Sequence, residues 1–171
     1  ISTVLPGTIE REILPRVSAE RFQLVYNPSF VAMGTVVRDF LAPEFSLVGV
    51  NNAHAARTLA MFYATIHDRL VYATSVRNAE LIKVAYNTFI GFKIVFANTL
   101  MEICHKTGCN VDDVTDALCL ASQRLISPAY MSGGMGDGGG CHPRDNIALS
   151  WLARELDLSY DIFEAVMQAR E

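Results

Sequence analysis

The stretch from Val76 to Lys106 constrains this chain most. Its apolar residues recur at helical spacing: Ile82, Ala85, Phe89, Phe92, Phe96 and Ile103 share one stripe, and Val84, Ile90, Ile94, Val95 and Leu100 fill others. A helix of about 30 residues that is apolar nearly all round must be covered on most sides, and a single small domain seldom offers that much cover. A second copy of the chain, packed through residues 76–106 as a homodimer, could supply it. The run is interrupted by Asn87, Lys93 and Asn98, which argues against a membrane span.

The rest of the chain divides by character. After Pro6-Gly7, Thr8 can cap a short helix through about Val17, with Glu10 and Glu12 placed where the helix dipole favours acids. FQLVYN (22–27) and FSLVGV (45–50) read as strands, so residues 1–50 look like βαβ with another strand added. From His54 onward Ala, Leu, Met, Glu and Arg dominate, no strand signal is visible, and helices are expected near 54–68 and from Val76 to Lys106. Gly108 fits the position just past the long helix, Asn110 can cap the next, another begins near Pro143, and Ser159 starts the last. The fold expected is mainly α, a long-helix domain at 53–171 preceded by an α/β remnant at 1–52.

With a net charge of −4, 51% hydrophobic and 19% charged residues, the composition is that of an ordinary globular protein and not a nucleic-acid binder. Four scattered cysteines lack the spacing of a secreted disulfide scaffold and suggest a reducing cytoplasm.

Two features could carry chemistry. Residues 132–140, with six glycines in nine positions, end in Cys141, His142, Pro143, Arg144 and Asp145. A thiol at a helix N-terminus gains thiolate character from the amide dipoles, which suits covalent catalysis; an inert Cys in a structural turn stays open as the alternative. Lys83 and Asn87, four apart on one helical face with Glu80 one turn earlier, are donors suited to a developing oxyanion, or else part of a solvated face with an ordinary Glu80/Lys83 pair. Cys104, His105 and Cys109 show no metal-ligand spacing, so no metal is expected. The glycine run follows a helix and lacks Gly-Lys-Ser/Thr, so it is neither a dinucleotide fingerprint nor a P-loop.

Taken together, STVLPGT (2–8), NPSFVAMGTVVRDF (27–40), AELIKVAYNTFIGFKIVFAN (79–98) and GGMGDGGGCHPRD (133–145) resemble, in order and separation, four segments of the UDP-glucose/GDP-mannose dehydrogenase family: STVPPGT, NPEFLREGTAxxDF, ExxKYxxNxFxAxKIxFxN and GxGxGGxCxPKD. The resemblance implies the end of a Rossmann-like NAD-binding domain at 1–52 and a central helical substrate and dimerisation domain at 53–171, similar to the C-terminal domain of 6-phosphogluconate dehydrogenase.

It implies an enzyme that oxidises the C6 hydroxymethyl of a nucleotide-diphosphate sugar to a uronate with two NAD, through a thiohemiacetal and then a thioester on Cys141. Lys83 and Asn87 would stabilise the oxyanion, Asp145 would position water or steer protons, and Thr3 would help bind the catalytic water. Arg124, Tyr130, Ser29, Phe30 and Gly138 would contact substrate, Arg124 that of the neighbouring subunit. NAD would be held mostly by regions outside this chain, and the piece alone is expected to be inactive. The sequence departs from the pattern where the family's NPEF glutamate, associated with thioester hydrolysis, is Ser29, where the acid four positions later is Met33, and where His142 and Arg144 follow Cys141. Two other readings stay open: the helical domain of a β-hydroxyacid dehydrogenase, and a nucleotide-sugar-binding or dimerisation module without turnover.

Overall fold

The computed structural model describes residues 3–18, 22–131 and 141–169, the side chain of Cys141 excepted. Among these, six α-helices and one two-stranded sheet follow the order α1 (Val36–Leu41), β1 (Ser46–Gly49), α2 (Ala53–Ala64), β2 (Val71–Thr74), α3 (Val76–Thr107), α4 (Val111–Cys119), α5 (Cys141–Glu155) and α6 (Ile162–Gln168). The architecture is mainly helical around one long helix, as the periodicity predicts. The chain forms two compact units, Ile1–Ile90 and Gly91–Glu171, and α3 runs through both.

In the first unit β1 and β2 pair in parallel, Ser46 opposite Val71 and Gly49 opposite Thr74, with α2 as the crossover between them. All four residues of β1 are buried. Leu47 joins Ile9, Tyr26, Val76 and Ala79 in the core. Gly49 lets the strand meet the start of α3: a Cβ there would lie 2.8 Å from that of Ala79 and 3.0 Å from the Val76 Cα.

Several expectations need correcting here. FQLVYN does not form a strand; its one ladder contact is an antiparallel bridge from Tyr26 to Gly49, and the Asn27 side chain takes over by donating to the Leu47 carbonyl at 2.7 Å. The second strand of the sheet is instead Val71–Thr74, where the sequence shows no strand signal. Four residues are too few for periodicity to register, although Val71, Tyr72 and Thr74 are of strand-forming type. β2 thus lies in the part after His54 for which the sequence predicts no strand. The segment after Pro6-Gly7 is a wide helical turn at Ile9–Ile13, in which Leu14 N–H reaches the Ile9 carbonyl, followed by a tighter turn at Leu14–Arg16. Thr8 is itself in helical conformation and its side chain caps nothing.

In the second unit cap chemistry sets the boundaries. α3 ends as expected: Gly108 takes φ +77° and Cys109 N–H bonds the Cys104 carbonyl at 3.1 Å. The Asn110 side chain accepts from Asp112 N–H at 3.0 Å and opens α4, whose first turn carries Asp112 and Asp113. The last helix is capped by Asp161, which accepts from Glu164 N–H at 3.0 Å, and not by Ser159. Ser159 spends its N–H and hydroxyl on the Glu102 carboxylate of α3, at 3.0 and 3.2 Å. α5 and α6 pack together, Ala153 and Phe163 are buried, and the buried Ser150 hydroxyl donates to Asp161 at 2.6 Å. No helix among the described residues is long and apolar enough to cross a membrane.

Candidate active site

The first turns of α3 carry two ionisable side chains into the interior of the first unit. Glu80 is fully buried, and its carboxylate accepts from Gly7 N–H at 2.5 Å and Ile9 N–H at 2.7 Å. Gly7 can present its amide this way because it takes φ +85°, a conformation that favours glycine. A long-range carboxylate therefore caps the 9–13 turn, which explains why Thr8 does not. It also removes the solvated Glu80/Lys83 pair: the two residues share a face, but each is bound to backbone elsewhere.

Lys83 is 6% exposed. Its Nζ donates to the Ser29 carbonyl at 2.9 Å, lies 3.5 Å from Asn87 Oδ1, and stands 4.7 Å above the Phe30 ring. No carboxylate lies within ion-pairing distance of it among the described residues, and burial pulls its pKa below the ordinary lysine value. An ammonium held by neutral acceptors against an aromatic face keeps its field for an incoming anionic oxygen.

The ammonium forms one wall of a cleft of about 270 Å³, with the Phe30–Ala32 segment, Pro43, Glu44, Tyr86 and Asn87 around it. The Phe30 ring is fixed between Tyr86 and Phe45, at centroid separations of 4.5 and 4.9 Å. Tyr86 donates its hydroxyl to Glu44 Oε2 at 3.2 Å, and burial, reinforced by the Glu44 charge, pushes the phenol pKa up. Asp39, also on the cleft, accepts from the Thr35 hydroxyl at 2.6 Å and from Ala32 N–H at 3.0 Å; these bonds, Thr35 foremost, hold its carboxyl below the usual range. Its donors leave it a structural carboxylate. Glu44 is the less encumbered one.

The structure thus brings together Lys83, Asn87, Ser29 and Phe30, four of the residues singled out from the sequence. Ser29 contributes through its main-chain oxygen, while Met33, standing for a family acid, is 100% exposed. Thr3 is exposed and precedes Val4, which packs on the core. Arg124, Tyr130 and Asp145 belong to the second unit. Arg124 is exposed; Tyr130 takes φ +64° with its ring 6.2 Å from that of His142; and Asp145 accepts from Arg144 at 2.9 Å, which holds its carboxyl low. Cys141 begins α5, so the helix start expected beside it is present; Gly138 and the rest of 132–140 lie outside the described residues, as does the Cys141 side chain. Sequence reasoning missed Glu44, Tyr86, Asp39 and the capping role of Glu80. Tyr86 had a signal, being one turn from Lys83; Glu44 had none, since its contact spans 42 residues.

A dinucleotide cofactor would need a phosphate cradle, and the described residues show what they offer. The helix that follows β1 is capped by its own Asn52, which accepts from Ala55 N–H at 2.8 Å, so its N-terminus is already closed. The β1–α2–β2 unit fits the flank of a dinucleotide-binding domain, not its phosphate-binding turn.

Residues 1–67 match the NAD binding domain of the UDP-glucose/GDP-mannose dehydrogenase family, and residues 77–171 match its central domain. The chain is similar to UDP-glucose 6-dehydrogenase of Rickettsia typhi, 34% identical over 174 residues, and to GDP-mannose 6-dehydrogenase of Azotobacter vinelandii, 29% identical over 175 residues. The alignments cover 99% and 98% of this chain but 39% and 40% of those proteins. Among solved structures it resembles a ternary complex of GDP-mannose dehydrogenase from Pseudomonas aeruginosa, with TM-score 0.92 at 28% identity, covering 99% of this chain and 40% of that one. A UDP-glucose dehydrogenase from Pyrobaculum islandicum is similar at TM-score 0.66 and 30% identity, covering 99% of this chain and 39% of that one. With the central-domain match alone spanning more than half of its residues, the chain belongs to the UDP-glucose/GDP-mannose dehydrogenase family.

Proposed function

We propose that this chain is the catalytic middle of a nucleotide-sugar 6-dehydrogenase, joining the end of an NAD-binding domain to a helical substrate domain, and that the whole enzyme oxidises the C6 hydroxymethyl of a nucleotide-diphosphate sugar to a uronate. The observation that carries this reading is Lys83: a buried ammonium with no carboxylate partner among the described residues, facing a cleft beside Asn87, in a chain of this family.

NAD, when bound, supplies the hydride acceptor for each of the two oxidations. The chain's own residues do the rest. Cys141, at the start of α5, adds as thiolate to the C6 aldehyde and forms a thiohemiacetal, whose oxyanion Lys83 and Asn87 stabilise. After the second oxidation the carbonyl is a thioester on Cys141. Water held with the help of Thr3 attacks it, Asp145, ionised at neutral pH, takes up the proton, and the Cys141 thiolate leaves with the uronate released. Phe30 and the Ser29 backbone shape the sugar end of the site. Gly138 and Tyr130 contact the nucleotide sugar, and Arg124 reaches the substrate of a neighbouring subunit. We also propose a cytoplasmic homodimer formed through residues 76–106, in keeping with the apolar side chains that α3 exposes.

The test uses the full-length protein that carries this chain, incubated with NAD and a panel of UDP- and GDP-sugars. About two NADH per sugar, with Cys141→Ser unable to complete the second oxidation, is expected. No NADH from any sugar, together with a thiol unmodified in intact-mass spectra, would overturn the reading in favour of a binding module. The exposed Ser29, where the family carries a glutamate, is the observation on that side.

A further inference from the structure

The carbonyl that holds the Lys83 ammonium belongs to Ser29, in an extended segment outside any sheet, and something must fix where that oxygen points. Within the described residues of this segment Tyr26 is the one bridged to β1, through Tyr26 N–H to the Gly49 carbonyl at 2.9 Å and the reverse bond at 2.7 Å. Between that bridge and Ser29 lie Asn27 and Pro28. Both polar ends of Asn27 are used: Nδ2 donates to the Leu47 carbonyl at 2.7 Å, and Oδ1 accepts from the Tyr63 hydroxyl at 2.6 Å.

Tyr63 comes from the last turn of α2 and is 7% exposed. Its ring is itself immobilised, stacked on His67 at 5.1 Å and 22°, and His67 in turn bonds the buried Ser46 hydroxyl of β1 at 3.1 Å. The bond from the Tyr63 hydroxyl is short and aimed at Oδ1, the end of the Asn27 amide that the sheet does not use.

We infer that Tyr63 is a positioning residue for Lys83: its hydroxyl locks Asn27, which sets the course of residues 28–30 and thereby the Ser29 carbonyl and Phe30 ring that cradle the ammonium. The role rests on the reading of Lys83 as the oxyanion-stabilising group, but the cradle itself can be tested without turnover. Losing the hydroxyl leaves Asn27 Oδ1 without its donor and frees its amide to rotate. The segment then loosens, water reaches Nζ, and the burial that depresses the Lys83 pKa is relieved.

The full-length protein is compared with Tyr63→Phe, Asn27→Ala and the double variant. The pH profile of acetic-anhydride labelling at Lys83 is read by mass spectrometry, with exposed Lys93 as the internal reference. Tyr63→Phe is expected to move the Lys83 midpoint upward by about half a unit or more, Asn27→Ala to do the same, and the double variant to add nothing further. Turnover of whichever sugar of that panel the wild type oxidises should fall about tenfold in kcat with little change in KM. An unchanged Lys83 midpoint in folded Tyr63→Phe, with only the melting temperature lowered, would overturn the inference and leave Tyr63 a packing residue. A moved midpoint in a protein that oxidises no sugar would uphold the cradle and sink the dehydrogenase reading instead.

Discussion

α3 carries two Glu/Lys couples, Glu80 with Lys83 near its start and Glu102 with Lys106 near its end, and the helix uses them in the same way at very different depths. Each glutamate accepts from backbone N–H groups of a remote segment, Glu80 from residues 7 and 9 and Glu102 from Ser159. Each lysine donates to backbone carbonyls, Lys83 to Ser29 and Lys106 to Leu156 and Asp157, at 2.7 and 2.5 Å for the latter two. The couple near the end is solvent-accessible and also forms an ion pair at 3.4 Å. The couple near the start is buried and the two charges ignore each other. Spacing alone does not separate these cases; what lies over the helix does. Cover also decides the fate of the apolar residues, since the half of α3 that leads away from the buried charges exposes Phe89, Phe92, Ile94 and Phe96, Phe92 at 59%.

The largest expected effect breaks the comparison at Lys83. In the full-length protein Lys83→Met should lower kcat/KM by about 10²- to 10³-fold, the loss of an oxyanion-stabilising group, while leaving the melting temperature unchanged or higher. The reason is linkage: the folded-state pKa of Lys83 lies below its unfolded value, so between the two the unfolded chain binds more protons. Wild-type stability should therefore rise with pH across that window, and the Met variant should not show the rise. A Met variant that keeps its activity would remove the functional half of the argument. Chemical denaturation at a series of alkaline pH values gives the other half.

Glu80→Gln should be the most damaging to the fold. The amide keeps one acceptor but turns an N–H₂ toward a backbone donor, and a buried carboxylate holding two amides is worth about 2–4 kcal/mol. Denaturant midpoints report the loss. A change no larger than that of a surface substitution would mean that the 7–13 turn is held by its apolar contacts alone.

What could be read from the sequence follows from how far each partner lies along the chain. The end of α3 was legible because Gly108 and Asn110 act within a few residues of themselves. Lys83 and Asn87 were legible because helical spacing puts them on one face. Glu80 was visible as a neighbour but not as a cap, because its partners are more than 70 residues away. Ser159 suits a helix start by residue type, but Glu102, 57 residues earlier, claims it, and Asp161 caps the helix. β2 escaped because four residues at the edge of a helical region leave no period to count.

The exposed half of α3 gives the next test. If a second copy covers it, Phe92→Asp with Phe96→Asp should shift the full-length protein toward monomer in light scattering, since two charges in an apolar interface lose both burial and complementarity. An unchanged mass would show that another surface carries the association. The effect on the fold of the monomer should be small because both side chains are already exposed.

The smallest effect is expected at the outer couple, and its sign is fixed by the carboxyl. The Ser159 N–H, with help from the Ser159 hydroxyl and Lys106, holds the Glu102 pKa below the ordinary glutamate value. A depressed folded-state pKa means that the stabilisation is present above the unfolded value and is lost as pH falls through the folded one. Glu102→Gln should therefore melt slightly below wild type at neutral pH, and the gap should close as the pH is taken down through the acid range. Added salt should narrow it as well, because the carboxylate is reached by solvent and its pairing with Lys106 is screened. A gap that persists at acid pH would mean that Glu102 acts through the packing of its stem, and the outer couple would then differ from the inner one in kind as well as in depth.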